Sequence, residues 1–234
     1  MTYKLVQYDE VGSTLDVAHE LAANGAAAGT LVVANAQTAG RGRMGRSWRS
    51  EPGAGIWLTL IERPADASAL EVLSLRVGLA LAPALDAFAD ARVQLKWPND
   101  LYLHDRKLAG ILIEARWREG HPEWVAIGVG INLRPPASEA RAIGLGVNVS
   151  RDAVLAAIAP RLREAAAQRG PLTAAEVDAF AARDVAAGRR CVEPVDGSVI
   201  GIDASGALLV SVGSPEDRAV TAVRAGSLVL EETS

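Results

Sequence analysis

The chain has 234 residues, half of them apolar and 22% charged, which suits one mid-sized folded domain plus a small one and excludes a disordered chain. The formal net charge of -4 gives no general attraction to nucleic acid or anionic membranes, so either partner would need a strongly local basic patch. Cys191 is the single cysteine, which excludes an internal disulfide and a Cys-based zinc site. The N-terminal Met1-Thr2-Tyr3-Lys4-Leu5 has no apolar signal core, and no later uncharged run reads as a membrane span; these features predict a cytoplasmic protein.

In chain order, residues 3–8 predict a short strand. Ser13-Thr14-Leu15-Asp16 then has the form of a capping box opening a helix over 17–23, which Asn24-Gly25 ends. The apolar runs 31–34 and 56–61 predict buried strands, with a Gly- and Arg-rich loop between them. Leu70, Leu73, Val77, Leu81 and Leu85 recur at helical spacing, so 67–88 predicts a largely buried helix that Pro83 should kink or split. Residues 93–97, 101–103, 108–115 and 124–133 follow as strands, the second and third joined through His104-Asp105-Arg106. This pattern predicts an α+β domain, a mixed sheet covered by helices on one side. After Pro135-Pro136 the Ala-rich composition predicts two helices, 151–168 and 174–183, that close the main domain. From about Gly188, short strands alternate with turns at Asp196-Gly197, Ser205-Gly206, Gly213-Ser214-Pro215 and Ala225-Gly226. Such strands bury one face only by closing on themselves, so a small β-barrel is expected. The expected division is 1–186 for the main domain and 187–234 for the barrel.

Three segments carry chemistry. Between Ala36 and Ser50 stand Arg41, Arg43, Arg46 and Arg49 with no acid, and Gly40, Gly42 and Gly45 leave the backbone free to reach positive φ and approach a ligand. Guanidinium groups bind carboxylate and phosphate through paired hydrogen bonds, so the loop reads as an anion clamp; a solvated basic loop is the plain alternative. Gly40 to Gly45 also matches G-x-G-x-x-G, but a strand follows where a dinucleotide fold requires a helix, and the match is coincidental. The second segment is Leu95-Lys96-Trp97-Pro98-Asn99-Asp100 with Lys107-Leu108-Ala109-Gly110-Ile111-Leu112-Ile113-Glu114. Pro98 forbids a regular central ladder and sets Asn99 and Asp100 at a strand end, Lys107 opens an apolar run, and Gly110 lets a ligand lie against the strand. A hairpin with edge-protecting charges accounts for the same residues. The third, Ile127-Gly128-Val129-Gly130-Ile131-Asn132, alternates glycines, which weaken a strand unless another backbone or a flat ligand packs there, and Asn132 offers donor and acceptor.

Residues 37–48, 96–100, 107–114 and 128–132 together resemble, in order and spacing, the catalytic domain of biotin–protein ligases (biotin–[acetyl-CoA-carboxylase] ligases). The likeness is close over about 8–134, while 188–234 resembles the family's small Src-homology-3-type barrel in pattern only. It implies a class II synthetase-like catalytic fold, ATP and biotin as substrates, Mg²⁺ with the phosphates, and a biotin carboxyl carrier protein as acceptor. Because the resemblance begins almost at Met1, it implies the form without a DNA-binding domain; a homodimer stays open. Where many members have Ser-Thr-Asn this chain has Ser13-Thr14-Leu15, which puts the contribution of that Asn in doubt. Lipoate or octanoate ligases are the nearest rivals, but their Arg-Arg-x-x-Gly-Gly-Gly type of loop is absent.

The resemblance implies roles residue by residue. Joining a carboxylate to an α-phosphate brings two anions together, so fixed cations matter more than a covalent nucleophile. Arg41 and Lys107 are expected at the biotin carboxylate and α-phosphate. Arg43 and Arg46 are expected to hold the loop over the adenylate and triphosphate. Ser13, Thr14, Gln37, Gly42, Arg43 and Gly110 should line the biotin pocket with Trp48 as an apolar wall. Lys96, Asn99 and Asn132 should meet the nucleotide, and Asp100 should orient the incoming amine or hold Mg²⁺ through water. A hydrolase is disfavoured, since His19, His104 and His121 lack metal spacing and no Gly-x-Ser-x-Gly elbow is present. A non-enzymatic anion- or nucleic-acid-binding module remains the rival of a different class, and the acidic total argues against it.

Overall fold

The computed structural model describes residues 3–64, 67–135, 138–214 and 217–231. Pro136 and Pro215, expected at a boundary and in a turn, lie outside them, as do residues 1–2 and 232–234. Seven strands make one sheet: β1 (Lys4–Val11), β2 (Thr30–Gln37), β3 (Gly55–Glu62), β4 (Gln94–Lys96), β5 (Asp100–Leu103), β6 (Arg106–Arg118) and β7 (His121–Asn132), in the order β1-β2-β3-β7-β6-β5-β4. Of these seven, only β1 and β2 pair in parallel. A parallel pair needs a crossover, and helix α1 (Thr14–Ala23) supplies it. The hairpin from β5 turns on His104 and Asp105 alone, both at positive φ, and Arg106 already belongs to β6.

Both faces of the sheet carry helices, which corrects the expectation of a one-sided cover. Alternation along the strands makes the division. Leu31, Val33, Ile56, Leu58 and Leu60 face α2 (Leu73–Asp86) and α3 (Arg151–Ala166), joining Val77, Leu81, Leu85, Val154, Ile158 and Leu162 in the main core. Each such side chain contributes roughly 1.5 to 3 kcal/mol by leaving water. Val32, Ile61, Trp124 and Ala126 face the other way and bury Leu15, Ala18 and Ala22 of α1.

Local expectations for α1 and α2 are corrected by packing. Helix α1 starts at Thr14, three residues earlier than expected, with Ser13 as N-cap accepting from the Leu15 N–H; Asp16 does not close a capping box but turns to Arg41. Helix α2 begins at Leu73 after a 3₁₀ turn over Leu70–Val72, and Pro83 lies inside it without ending it. A reciprocal capping box forms instead at α4 (Ala174–Ala181), between Thr173 and Glu176.

The C-terminal strands β8 (Arg190–Glu193), β9 (Gly197–Ile202), β10 (Leu208–Val212), β11 (Ala219–Val223) and β12 (Val229–Leu230) form a second, antiparallel sheet ordered β11-β10-β9-β8-β12. Its buried Cys191, Val199, Ile202, Leu208, Val210 and Leu228 are continuous with the main core. The buried Trp97 indole donates to the Gly206 carbonyl at 2.9 Å, so the hairpin bearing Asn99 and Asp100 is pinned to this sheet.

Candidate functional site

A cavity of about 1060 Å³ opens on the α1 face, beyond the part of the sheet that α1 covers. Its floor is glycine. Gly110 and Gly130 are paired across β6 and β7, and a Cβ on Gly130 would lie 2.5 Å from Trp48 Nε1, one on Gly110 3.1 Å from Trp48 Cζ3. The Trp48 indole therefore lies along the two glycines, edge-on to Trp57 with ring centroids 6.5 Å apart. In place of the ligand expected against Gly110, and the backbone or flat ligand expected against Gly130, the structure places a side chain of the chain itself. Gly128 admits Leu15 of α1 in the same way.

One end of the cavity is a closed polar cluster. Thr14 donates from its N–H (2.8 Å) and its hydroxyl (3.0 Å) to Gln37 Oε1, Thr59 donates to Thr14 Oγ1 at 2.9 Å, and Gln37 Nε2 donates to Ser50 Oγ at 2.7 Å. Ser13, Thr14 and Gln37 thus stand together as expected. Thr59 and Ser50 were missed, although Thr59 is the lone polar residue in the run Ile56-Trp57-Leu58-Thr59-Leu60-Ile61.

The Arg-rich loop folds back on itself: Trp48 N–H donates to Gly40 O at 2.8 Å, Gly42 N–H to Arg46 O at 2.7 Å, and Arg41 bridges Ser47. Its glycines act differently from one another. Gly45 alone has positive φ (73°), next to Met44 at 56°, whereas Gly40 is needed because a Cβ would sit 2.4 Å from the Trp48 carbonyl oxygen. Gly42 has extended backbone and room for a Cβ. At the tip, Ser227 Oγ approaches Met44 Sδ at 3.7 Å, joining the loop to the C-terminal sheet.

The cations divide between two walls. Arg41 donates to Asp16 at 2.6 Å and lies 3.4 Å from Glu114; the Asp16 hydrogen bond, with the Glu114 charge, raises its pKa against the opposing effect of burial. Arg43 donates to Asn99 Oδ1 at 3.3 Å, and Asn99 Nδ2 donates to Ile111 O at 2.6 Å, so this amide ties the loop to the β4–β5 hairpin. Lys107 Nζ is 2.7 Å from Asp100 Oδ1, at an angle that makes a close ion pair rather than an aligned hydrogen bond, and 5.2 Å from the Trp48 ring centre. Lys96 stands over the Tyr102 ring at 5.2 Å; burial lowers its pKa, Asp100 opposes this, and the nearby Lys107, Arg189 and Arg141 add to the lowering. Burial likewise pushes the Tyr102 hydroxyl up to about 12, with Asp100 adding to the shift. Arg46, Gly42 and Asn132 line the same cavity.

Further lining comes from segments without sequence motifs. Lys107 is held by the stretch around Ala142, its N–H donating to Arg141 O at 2.8 Å. Arg189, Val192 and the residues from Ser227 to Glu231 complete the wall from the C-terminal sheet. Among the described residues no group of three or more His, Cys, Asp or Glu is placed to hold a metal, and no helix is long and apolar enough to cross a membrane. The lone Cys191 is buried and free.

The cavity gathers cations over a flat apolar floor beside hydroxyl and amide groups, the mixture of apolar wall and few placed polar groups that marks a small-molecule site. The model of the biotin/lipoate A/B protein ligase family matches residues 11–132, and the chain belongs to that family. It is 42% identical over 140 residues to the bifunctional ligase/repressor BirA of Bacillus spizizenii, covering 59% of this chain and 43% of that one. To the biotin--[acetyl-CoA-carboxylase] ligase of Mycobacterium tuberculosis it is 37% identical over 142 residues, covering 57% and 52%. The chain thus matches about half the length of these relatives. In fold it resembles the biotin protein ligase from Aquifex aeolicus, solved in complex with biotin and ATP, with a TM-score of 0.80 and 23% identity over 99% of this chain and 100% of that one.

Proposed function

We propose that this chain is an ATP-dependent biotin–protein ligase. The biotin carboxylate attacks the α-phosphate of ATP, the α–β anhydride bond breaks, and pyrophosphate leaves. A carrier lysine amine then attacks the acyl carbonyl of the biotinyl-adenylate, and AMP leaves as the amide forms. The observation that carries this reading is the pair of cationic walls, Arg41 and Arg43 on the loop and Lys96 and Lys107 on the hairpin strands, around one cavity. Two anions meet in the first step, and fixed cations offset their repulsion at no reorganisation cost in the transition state. Ser13, Thr14 and Gln37 at the cavity wall, the last two backed by Thr59 and Ser50, suit a head group with both donors and acceptors, as a ureido ring has.

In this reading Lys107 and Arg41 meet the carboxylate and α-phosphate, Arg46, Lys96 and Asn132 face the nucleotide, and Asp100 holds Lys107 and faces the incoming amine. Asn99 acts by anchoring Arg43. Mg²⁺ enters with the phosphates of ATP as part of the substrate, which suits a cavity whose acids, Asp100, Asp105, Glu139 and Glu231, are not grouped as a metal cage. Residues 1–186 form the catalytic unit, and 187–234 a small unit that closes the cavity. The acceptor is a biotin carboxyl carrier protein.

The test is pyrophosphate release by the purified protein with ATP and Mg²⁺, followed by the mass of an added carrier. Release that requires biotin, with a mass gain of one biotinyl group, is expected. Equal turnover with lipoate or octanoate would move the assignment to the family's other branch.

A further inference from the structure

His19, on the inner side of α1, bridges two elements. Trp124 Nε1 of β7 donates to His19 Nδ1 at 2.9 Å, and His19 Nε2 is 2.9 Å from Glu114 Oε2 of β6. An indole N–H only donates, so Nδ1 must accept and the ring proton must sit on Nε2, where it donates to Glu114. Glu114 in turn faces Arg41 NH2 at 3.4 Å, and Asp16, one turn before His19 on α1, takes Arg41 NH1 at 2.6 Å. The far end is fixed as well. Arg63 stacks over Trp124 at 5.8 Å and donates to the carbonyls of Ala22 (2.7 Å), in the last turn of α1, and Ala26 (3.1 Å), just beyond the helix. A row of hydrogen bonds of defined direction thus runs from Trp124 through His19 to Glu114, which with Asp16 holds the loop arginine between two carboxylates.

We infer that Trp124, His19 and Glu114, with Asp16, are positioning residues that fix the Arg41 guanidinium for the substrate carboxylate. The inference rests on the ligase reading for its ligand, but the relay acts on Arg41 whatever the ligand is. The loop backbone is tied at Gly40 and Gly42, but an arginine side chain on it still has several rotatable bonds to order. Holding its guanidinium before substrate arrives removes that ordering cost from the binding step. A histidine of the other tautomer would turn an N–H toward Trp124 and leave Glu114 without its donor, so the indole sets the direction of the whole row.

Two measurements separate the relay from its setting. The first is biotin affinity by calorimetry. His19→Leu and Glu114→Gln are expected to weaken it about tenfold, the scale of one lost charge-assisted hydrogen bond. His19→Gln, whose amide keeps one acceptor and one donor, should restore it to within about threefold of wild type on the same scale. In an Arg41→Ala background the same changes should add nothing, because the group they hold is gone. Equal weakening with and without Arg41 would overturn the inference. The second is the rate at which phenylglyoxal modifies Arg41, read by peptide mass without ligand. Glu114→Gln keeps the shape of a half-exposed strand residue and should speed it several-fold; an unchanged rate sinks the relay. A wild type that binds no biotin sinks the ligase reading instead and leaves the modification result to decide the relay.

Discussion

Lys107 and Asp100 face each other across the β5–β6 hairpin, ammonium to carboxylate at 2.7 Å, beside the Trp48 ring that covers the glycine floor. The pair gives the cavity a cation whose position is set from two sides, by Asp100 and by the backbone bonds of Lys107 to Arg141 and Ile143. Lys107→Gln should therefore cut pyrophosphate formation by roughly 10²- to 10³-fold, the cost of removing one fixed charge from a developing anion. The side chain is a third exposed, so the melting temperature should move little. Stopped-flow pyrophosphate assay alongside circular dichroism checks both; retained activity would remove Lys107 from the chemistry.

Arg43 reaches Asn99 from the loop and so fastens the cover of the cavity to the hairpin beneath. Arg43→Gly should leave activation in place but release the activated acid faster. Losing one charge-assisted hydrogen bond costs about 1.5 to 3 kcal/mol, or roughly ten- to hundredfold in release. Escaped adenylate acylates any exposed lysine, so a streptavidin blot of an unrelated protein should show labelling that rises with variant concentration. Bystander labelling no greater than wild type, with ATP still consumed, would contradict a retaining role.

Gly130 has no room for a side chain under the Trp48 indole. Gly130→Ala should lift the ring from the floor, removing biotin binding while β7 keeps its pairing with β3 and β6. Tryptophan emission should shift to the red and lose its response to biotin. A variant that binds biotin as wild type does would show that the close contact of Trp48 with the glycines is dispensable.

Asp184 accepts from Ala186 N–H through one oxygen, while the other is enclosed and finds no donor among the described residues. Burial pushes its carboxyl up to about 6, against the Ala186 bond. The folded chain therefore binds this proton more tightly than the unfolded one, near its ordinary value of about 3.9, and stability falls as pH rises from about 4 to 6 and stays lower above. Relative to Asp184→Asn, wild type should lose about 1 to 2 kcal/mol between pH 4 and 7, less than full proton linkage would give because solvent still screens a half-buried group. Urea denaturation at the two pH values measures the difference, and a constant gap would show an ordinary carboxyl.

Arg76 is 3% exposed and gives hydrogen bonds to both Glu176 oxygens and to the carbonyls of Gly170 and Pro171. Glu176→Ala strands that charge in the core and removes the capping box of α4, so a loss of about 3 to 5 kcal/mol is expected. A thermal melt unchanged within a few degrees would refute this.

The strands and most helices were legible because their signal is local. Alternation and apolar runs mark 31–34 and 56–61 whatever packs on them, and the Arg-rich loop stands out because charge without counter-charge is visible in a string. Pro83 does not split α2, because a proline costs one helical bond and the burial of Val77, Leu81 and Leu85 outweighs it. Asp16 misled because its local bond competes with a guanidinium that arrives from a loop 25 residues on.

By itself the sequence determined the mixed α+β plan, the separate C-terminal strands and the residue types that meet an anion, since spacing and composition carry these. Only the tertiary structure decided that α1 shares the sheet with the cavity, that Trp48 lies on Gly110 and Gly130, that Thr59 and Ser50 complete the polar end, and that His19 backs Arg41 through Glu114. Each of these relations joins residues far apart in the chain, and their geometry follows from sheet register and side-chain packing, which no local pattern records.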